Sequence, residues 1–348
     1  MKTNLIHYGF GKDYLPEWGI NEALREIYQN FLDYGPFKEV TEETNNTDVQ
    51  VSLTNSWVPS SLDFLRIGNS EKHTPDAIGK HGEGLKMAFL ILSREGFESS
   101  IQTPEFTVRP SYYIDKEIGE CFCLEYEEYS GETRPFTIQF ECITDVFREF
   151  KQNLITPDDV LFDDRYWGQI VNKPAGNIYS GGLFVTYAKG ISKAYNIKPH
   201  HLPLDRDRSV PRAFDLNYAA SKINEAEGKF EVADLSMSDT YFIQKVPERV
   251  KEQITPVIVG NSIEFTVKTE DGTDKVICNS EVKAALIKDS FFTASIKKLK
   301  LFLAKQLGLY DLLVEFKEKH VHDAEARMDF DMILERVSQN SRKEVSNG

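Results

Sequence analysis

Three glycines at spacing i, i+3 and i+5, Gly79, Gly82 and Gly84, run directly into the apolar stretch Leu85-Lys86-Met87-Ala88-Phe89-Leu90-Ile91-Leu92. Glycine lets the backbone take positive φ and come close to a ligand, and the N–H groups at the start of the following helix attract anions. This junction predicts a helix that opens near Gly84 and stops at Gly96, entered from the polar loop Asn69 to Ala77. A dinucleotide fingerprint of similar spacing must follow a strand within a βαβ unit, and no strand precedes this one.

A second helix is predicted earlier, over Asn21 to Tyr34, with Asn21 as N-cap, Glu22 in the first turn and Gly35-Pro36 as the stop. Leu24, Ile27, Tyr28 and Phe31 form its apolar face, while Glu26, Asn30 and Asp33 fall at i, i+4 and i+7 on a roughly opposite stripe. A helix packed through its apolar side would present a carboxylate, an amide and a second carboxylate together.

Strand signals cover Val49 to Leu53, Leu62 to Ile67, Glu105 to Ile114, Cys121 to Tyr126, Phe136 to Cys142 and Gly181 to Ala188, with a helix at Asp145 to Leu154. Helices over one face of a mixed, mostly antiparallel sheet follow from this order, an α+β two-layer sandwich. Beyond residue 212 the character changes: a helix over Asp215 to Glu227, a hairpin over Val257 to Cys278 around Asp271-Gly272, then helix from Glu281 to Val337. The expected division is a domain over residues 1–200 and a mainly helical one over 201–348, with the boundary in a segment rich in Pro, His and charge.

A formal charge of −14 works against broad binding to nucleic acid. The best local basic patch, Lys297, Lys298, Lys300 and Lys305, reads as a solvated helix face. There is no apolar core for a secretory signal and no run of about 20 apolar residues, which predicts a cytoplasmic protein without a membrane partner. Cys121, Cys123, Cys142 and Cys278 lack metal-ligand spacing and read as packing residues, and neither His200-His201 nor His320-Val321-His322-Asp323 has the spacing of a metal site.

Together, Glu26-x-x-x-Asn30-x-x-Asp33 and the later Gly79-x-x-Gly82-x-Gly84 resemble the GHKL superfamily, which includes gyrase B subunits, 90-kDa heat-shock chaperones, histidine kinases and MutL. The resemblance covers about residues 15 to 210. It implies the Bergerat ATP-binding fold and the cofactors ATP and Mg2+, with Asn30 as magnesium ligand, Glu26 as general base and Asp33 in support. Gly79, Lys80, His81, Gly82, Glu83 and Gly84 would line the phosphates, with Lys86 near the same helix end. Leu202-Pro203-Leu204-Asp205-Arg206-Asp207-Arg208 looks like the chaperone segment whose arginine reaches the terminal phosphate, which implies Arg208, with Arg206 as the alternative. The DxGxG box departs from the family pattern. Its place reads Leu65-Arg66-Ile67-Gly68-Asn69-Ser70, so Gly68 is kept and Arg66 stands at the aspartate position. Asp63, Asp76 or Asn69 would then have to read the base, and Thr133 and Thr137 are candidates for the later-strand threonine. A phosphoaccepting histidine on an upstream helix is absent from the sequence, against a histidine kinase. Two functions follow: an ATPase that couples nucleotide state to conformational change or homodimerisation, and a nucleotide-binding regulatory or interaction module with little turnover, encoded by a phage or mobile element on the strength of its compact size. The client, whether protein or nucleic acid, is not legible.

Overall fold

The computed structural model of the 348-residue chain describes residues 4–45, 47–57, 59, 61–68, 82–128, 134–204, 211–259, 262–268, 274–276, 280–306, 309–320, 327–328 and 330–332. The first part of the chain runs β1 (Asn4–Gly11), α1 (Ile20–Asp33), β2 (Lys38–Glu43), β3 (Asp48–Asn55), α2 (Gly84–Arg94), β4 (Ser99–Gln102), β5 (Phe106–Asp115), β6 (Gly119–Glu128), β7 (Phe136–Ile143) and α3 (Thr144–Gln152). Its seven strands form one sheet in the order β1-β6-β5-β4-β7-β3-β2, antiparallel at every pairing.

Side chains alternate across a strand, so each strand offers the sheet one apolar and one polar row. Val49, Val51 and Leu53 of β3 and Phe136, Ile138, Phe140 and Cys142 of β7 share a buried cluster with Leu24, Ile27 and Phe31 of α1 and Ala88 to Leu92 of α2. The other rows form a polar ladder: Thr54 and Thr137 hydroxyls 3.0 Å apart, Gln139 Nε2 donating to Ser52 Oγ at 3.3 Å, and Gln102 Nε2 to Gln139 Oε1 at 3.4 Å. The helices therefore cover one sheet face, and the fold is α+β. Burial of about two dozen large apolar side chains in this cluster, each contributing roughly 1.5–3 kcal/mol, drives the arrangement.

Two sequence expectations are corrected here. Leu62 to Ile67 is not a strand: Leu62–Leu65 forms a 310 turn, capped by Ser61 Oγ accepting from Asp63 N at 3.0 Å. A strand would send the consecutive residues Phe64 and Leu65 to opposite faces, whereas the turn places both in the same core. Helix α1 also opens earlier than Asn21. Gly19 caps it, because Glu22 reaches back to accept the Gly19 N–H at 2.9 Å.

A second sheet follows, from β8 (Val160–Asp164), β9 (Gly168–Val171), β10 (Asn177–Ser180), β11 (Leu183–Tyr187) and β12 (Ala194–Ile197), in the order β11-β10-β12-β9-β8 with β10 and β12 parallel. With α4 (Ala213–Glu227) it builds a separate core of Ile170, Ile178, Tyr195, Ile197, Leu216, Ala219, Ala220 and Ile223. The chain then divides between Ile223 and Asn224, within α4, into two compact units.

The second unit contains α5 (Glu248–Lys251), a three-stranded sheet of β13 (Ile254–Val259), β14 (Ser262–Lys268) and β15 (Asp274–Val276), then α6 (Ser280–Lys288), α7 (Ser290–Gln306) and α8 (Leu309–His320). Lys268 pairs with Asp274 across the expected hairpin, whose Asp271-Gly272 lies outside the described residues, as does Cys278. Phe230, Leu235, Val250, Phe265, Leu286 and Phe292 anchor its core, and Lys297, Lys298 and Lys300 are exposed on α7. Cys121, Cys123 and Cys142 are buried free thiols. Among the described residues no helix is long and apolar enough to cross a membrane, and no cluster of metal-ligating side chains occurs.

Candidate functional site

Helix α1 is amphipathic, and its apolar side sinks Ala23, Leu24, Ile27, Tyr28 and Phe31 into the main core. Glu26 of its polar stripe meets the N-terminal end of α2. Helix α2 opens at Gly84 after Gly82, whose φ of +65° is the left-handed turn that the glycine spacing predicted. The two helices meet at Glu26 and Gly84. A Cβ on Gly84 would lie 2.0 Å from Glu26 Oε2 and 2.9 Å from its carboxyl carbon, so the carboxylate occupies the space that any larger residue would need. Glu26 is 8% exposed, and a carboxylate at a helix N-terminus is favoured by the aligned peptide dipoles.

Arg25 lies beside it, Nε 3.4 Å from Glu26 Oε1, with its guanidinium over the Trp18 ring at 5.5 Å and Nη2 buried without a hydrogen-bond partner. One turn on, the Asn30 amide donates through Nδ2 to the Glu26 carbonyl at 2.6 Å, which turns its oxygen away from that carbonyl. Asn30 and Asp33 are both half-buried.

Lys86, expected near phosphate, is 2% exposed and donates to the carbonyls of Phe64 (2.6 Å) and Gly82. It ties the glycine loop to the 310 turn and places a positive charge in the first turn of α2. Glu83 is the N-cap position of that helix. Gly68 is exposed at φ +76°, and Arg66 beside it pairs with Asp63 at 3.1 Å with its side chain 75% exposed.

Thr137 is not placed near these residues. It belongs to the polar ladder, whereas its β7 neighbours Phe136 and Ile138 point toward the helices, because side chains alternate along a strand. Asn69, Asp76, Gly79, Lys80, His81, Thr133, Arg206 and Arg208 lie outside the described residues.

The sequence reading passed over two groups. Tyr28 Oη donates to Glu39 Oε2 at 2.7 Å, and Lys151 Nζ reaches the same oxygen at 2.6 Å, so α1, β2 and α3 are joined through one carboxylate. Burial, then the Glu39 charge, push the Tyr28 phenol far above its ordinary range. A cleft of about 380 Å³ lined by Thr41, Glu43, Val49, Thr144, Phe147, Arg148 and Lys151 adjoins this network and shares no residue with the Glu26–Gly84 junction. The second group is a surface cluster of rings around Trp167 and His201. Its residues are far apart in sequence, and no local pattern links them. The chain matches no protein-family model, and a comparison with curated proteins likewise finds no significant match.

Proposed function

We propose that the first unit binds ATP with magnesium in a Bergerat-type site at the junction of α1 and α2, and that Glu26 is the general base of its hydrolysis. The observation that carries this reading is the Glu26 carboxylate lying against Gly84 at the start of α2. Glu26 and Gly84, one from each motif and far apart in sequence, lie against one another there, and a metal-bound polyphosphate would require the two motifs to converge.

The residues suit the ligand. Magnesium takes oxygen donors, and the Asn30 amide carries one. Backbone N–H groups at the start of α2, the left-handed Gly82 and the buried Lys86 charge make that end of the helix attractive to phosphate. When bound, the metal would neutralise charge on the phosphate oxygens. Glu26 would orient and deprotonate the attacking water, Asp33 would support Asn30, and Arg208 would supply a cation to the terminal phosphate. Lys86 would act by shaping the loop, since both its described hydrogen bonds go to backbone carbonyls. Coupling of nucleotide state to homodimerisation belongs to the same reading.

A second reading, a nucleotide-binding module with little turnover, is favoured by Arg66. At the place of the base-reading aspartate it is an exposed cation paired with Asp63. Calorimetric titration with ATP and Mg2+, set beside phosphate release, separates the two. The ATPase reading expects Glu26→Ala to keep binding and lose about 10²–10⁴-fold in turnover. Asn30→Ala should lower magnesium-dependent affinity by about tenfold or more. Binding without phosphate release by the unaltered protein selects the module, and no nucleotide binding at all removes both.

A further inference from the structure

Six rings from three segments meet at one surface of the first unit, built on the second core and sharing no residue with the α1–α2 junction. Tyr166 and Trp167 come from the β8–β9 turn, His200 and His201 from the segment after β12, and Phe214 and Tyr218 from α4. Trp167 stacks on His201 with centroids 4.0 Å apart, and Tyr166 stands edge-on to His201 at 4.6 Å. Trp167 meets Tyr218 at 5.5 Å, and Phe214 and Tyr218, one helical turn apart, have ring planes within 6° of parallel. The turn is held from below: Asp164 Oδ1 accepts the N–H groups of Tyr166 (3.0 Å) and Trp167 (2.7 Å), and Lys198 N donates to the Trp167 carbonyl at 3.0 Å. Even so, Tyr166 is 61% and Phe214 62% exposed. Exposed rings on both sides of the half-buried Trp167 and His201 forgo burial energy and mark an interaction surface.

Cations are interleaved with the rings. Arg165 and Arg212 are exposed beside them in the chain, Lys198 is half-buried in the segment before His200, and Lys222 Nζ lies 5.7 Å over the Tyr218 ring. The acids of the same segments are Asp163, Asp164, Asp215, Glu225 and Glu227; Asp164 is engaged by the turn, and Glu225 accepts the N–H groups of Gln244 and Lys245. In a chain of net charge −14, the segments that carry the six rings also carry four cations.

We propose that this surface binds single-stranded nucleic acid, with bases stacked on Tyr166 and on the Phe214–Tyr218 pair and phosphates against Arg165, Arg212 and Lys222. Base faces are open to stacking only in a single strand, and aromatic rings bordered by cations match bases joined by phosphates. A duplex hides its base faces and meets a chain that is acidic overall.

The test uses the full chain and fluorescence anisotropy with labelled oligothymidylate, oligouridylate and a duplex of equal length, across a salt series. Single strands are expected to bind and the duplex not. Tyr166→Ala and Phe214→Ala should each weaken binding about tenfold, and Arg165→Gln with Lys222→Gln should flatten the salt dependence. Far-ultraviolet circular dichroism and an unchanged thermal unfolding midpoint would show that the variants remain folded. Failure of single strands to bind, equal binding of the duplex, or binding unaffected by the double Tyr166→Ala, Phe214→Ala change overturns the proposal. So does self-association that the double change abolishes, because a second copy would then be the occupant. None of these outcomes depends on the nucleotide reading.

Discussion

Gly84 has an ordinary φ, and its missing side chain matters for another reason. The Glu26 carboxylate fills the space where a Cβ would be, at 2.0 Å from Oε2. Gly84→Ala would gain about 0.5–1 kcal/mol of helix propensity and would displace the flexible end of Glu26. The expected outcome is an unfolding midpoint close to that of the unaltered protein with phosphate release reduced about tenfold or more, the scale on which a misplaced catalytic group acts. Unchanged turnover would separate Glu26 from catalysis. That Glu26 and Asn30 lie one turn apart on α1 and that Gly84 opens α2 was legible in the sequence, because those spacings are local to one helix or one loop. The destination of Lys86 was not: a long flexible side chain beside a glycine loop can reach phosphate or backbone, and its neighbours in space, Phe64 and Gly82, decided for backbone.

At the scale of elements, one carboxylate of the second unit links two helices. Asp289, between α6 and α7, accepts the Phe291 N–H at 2.9 Å to cap α7 and pairs with Lys251 of α5 at 2.6 Å. The Lys251 side chain is 5% exposed and also pairs with Glu248. The hydrogen bond from Lys251, then that from Phe291, hold the Asp289 carboxyl below its usual range. Burial alone would lower Lys251, but hydrogen bonds to Asp289 and Glu248 outweigh it and raise the ammonium above 10.5. An acid with a depressed folded pKa contributes stability above its unfolded value of about 3.9 and loses it as pH falls below that. A raised lysine contributes below about 10.5 and loses it as pH rises beyond. Asp289→Asn should therefore cost about 1–3 kcal/mol at neutral pH, read from urea midpoints, with the gap to the unaltered protein narrowing as pH falls below about 3.9. A gap that persists in acid would mean that the charge is not what stabilises the contact. Long periodic elements such as α1, α2, β5 and α3 were legible because burial imposes their period. The four-residue strands β9, β10 and β12 were not, since so few residues carry no measurable alternation.

At the scale of the whole molecule, the separate cores of the two units predict two transitions in calorimetry. ATP with Mg2+ at about 100 times the dissociation constant adds about 2.7 kcal/mol to the unit that binds it, or roughly 5–10 °C for a unit of this size. The expected outcome is that only the first unit's transition moves. A shift confined to the other transition would place the ligand in Asn224–Gly348. The sequence by itself determined the α+β class, the amphipathic stripe of α1 and the glycine entry into α2, because each is written in residues within one or two turns of each other. Only the tertiary structure decided that Glu26 closes on Gly84, that Thr137 faces away, that a second sheet takes α4 as its cover, and that six scattered rings share one surface. Those outcomes depend on which surfaces bury one another, and burial is a property of the folded chain as a whole.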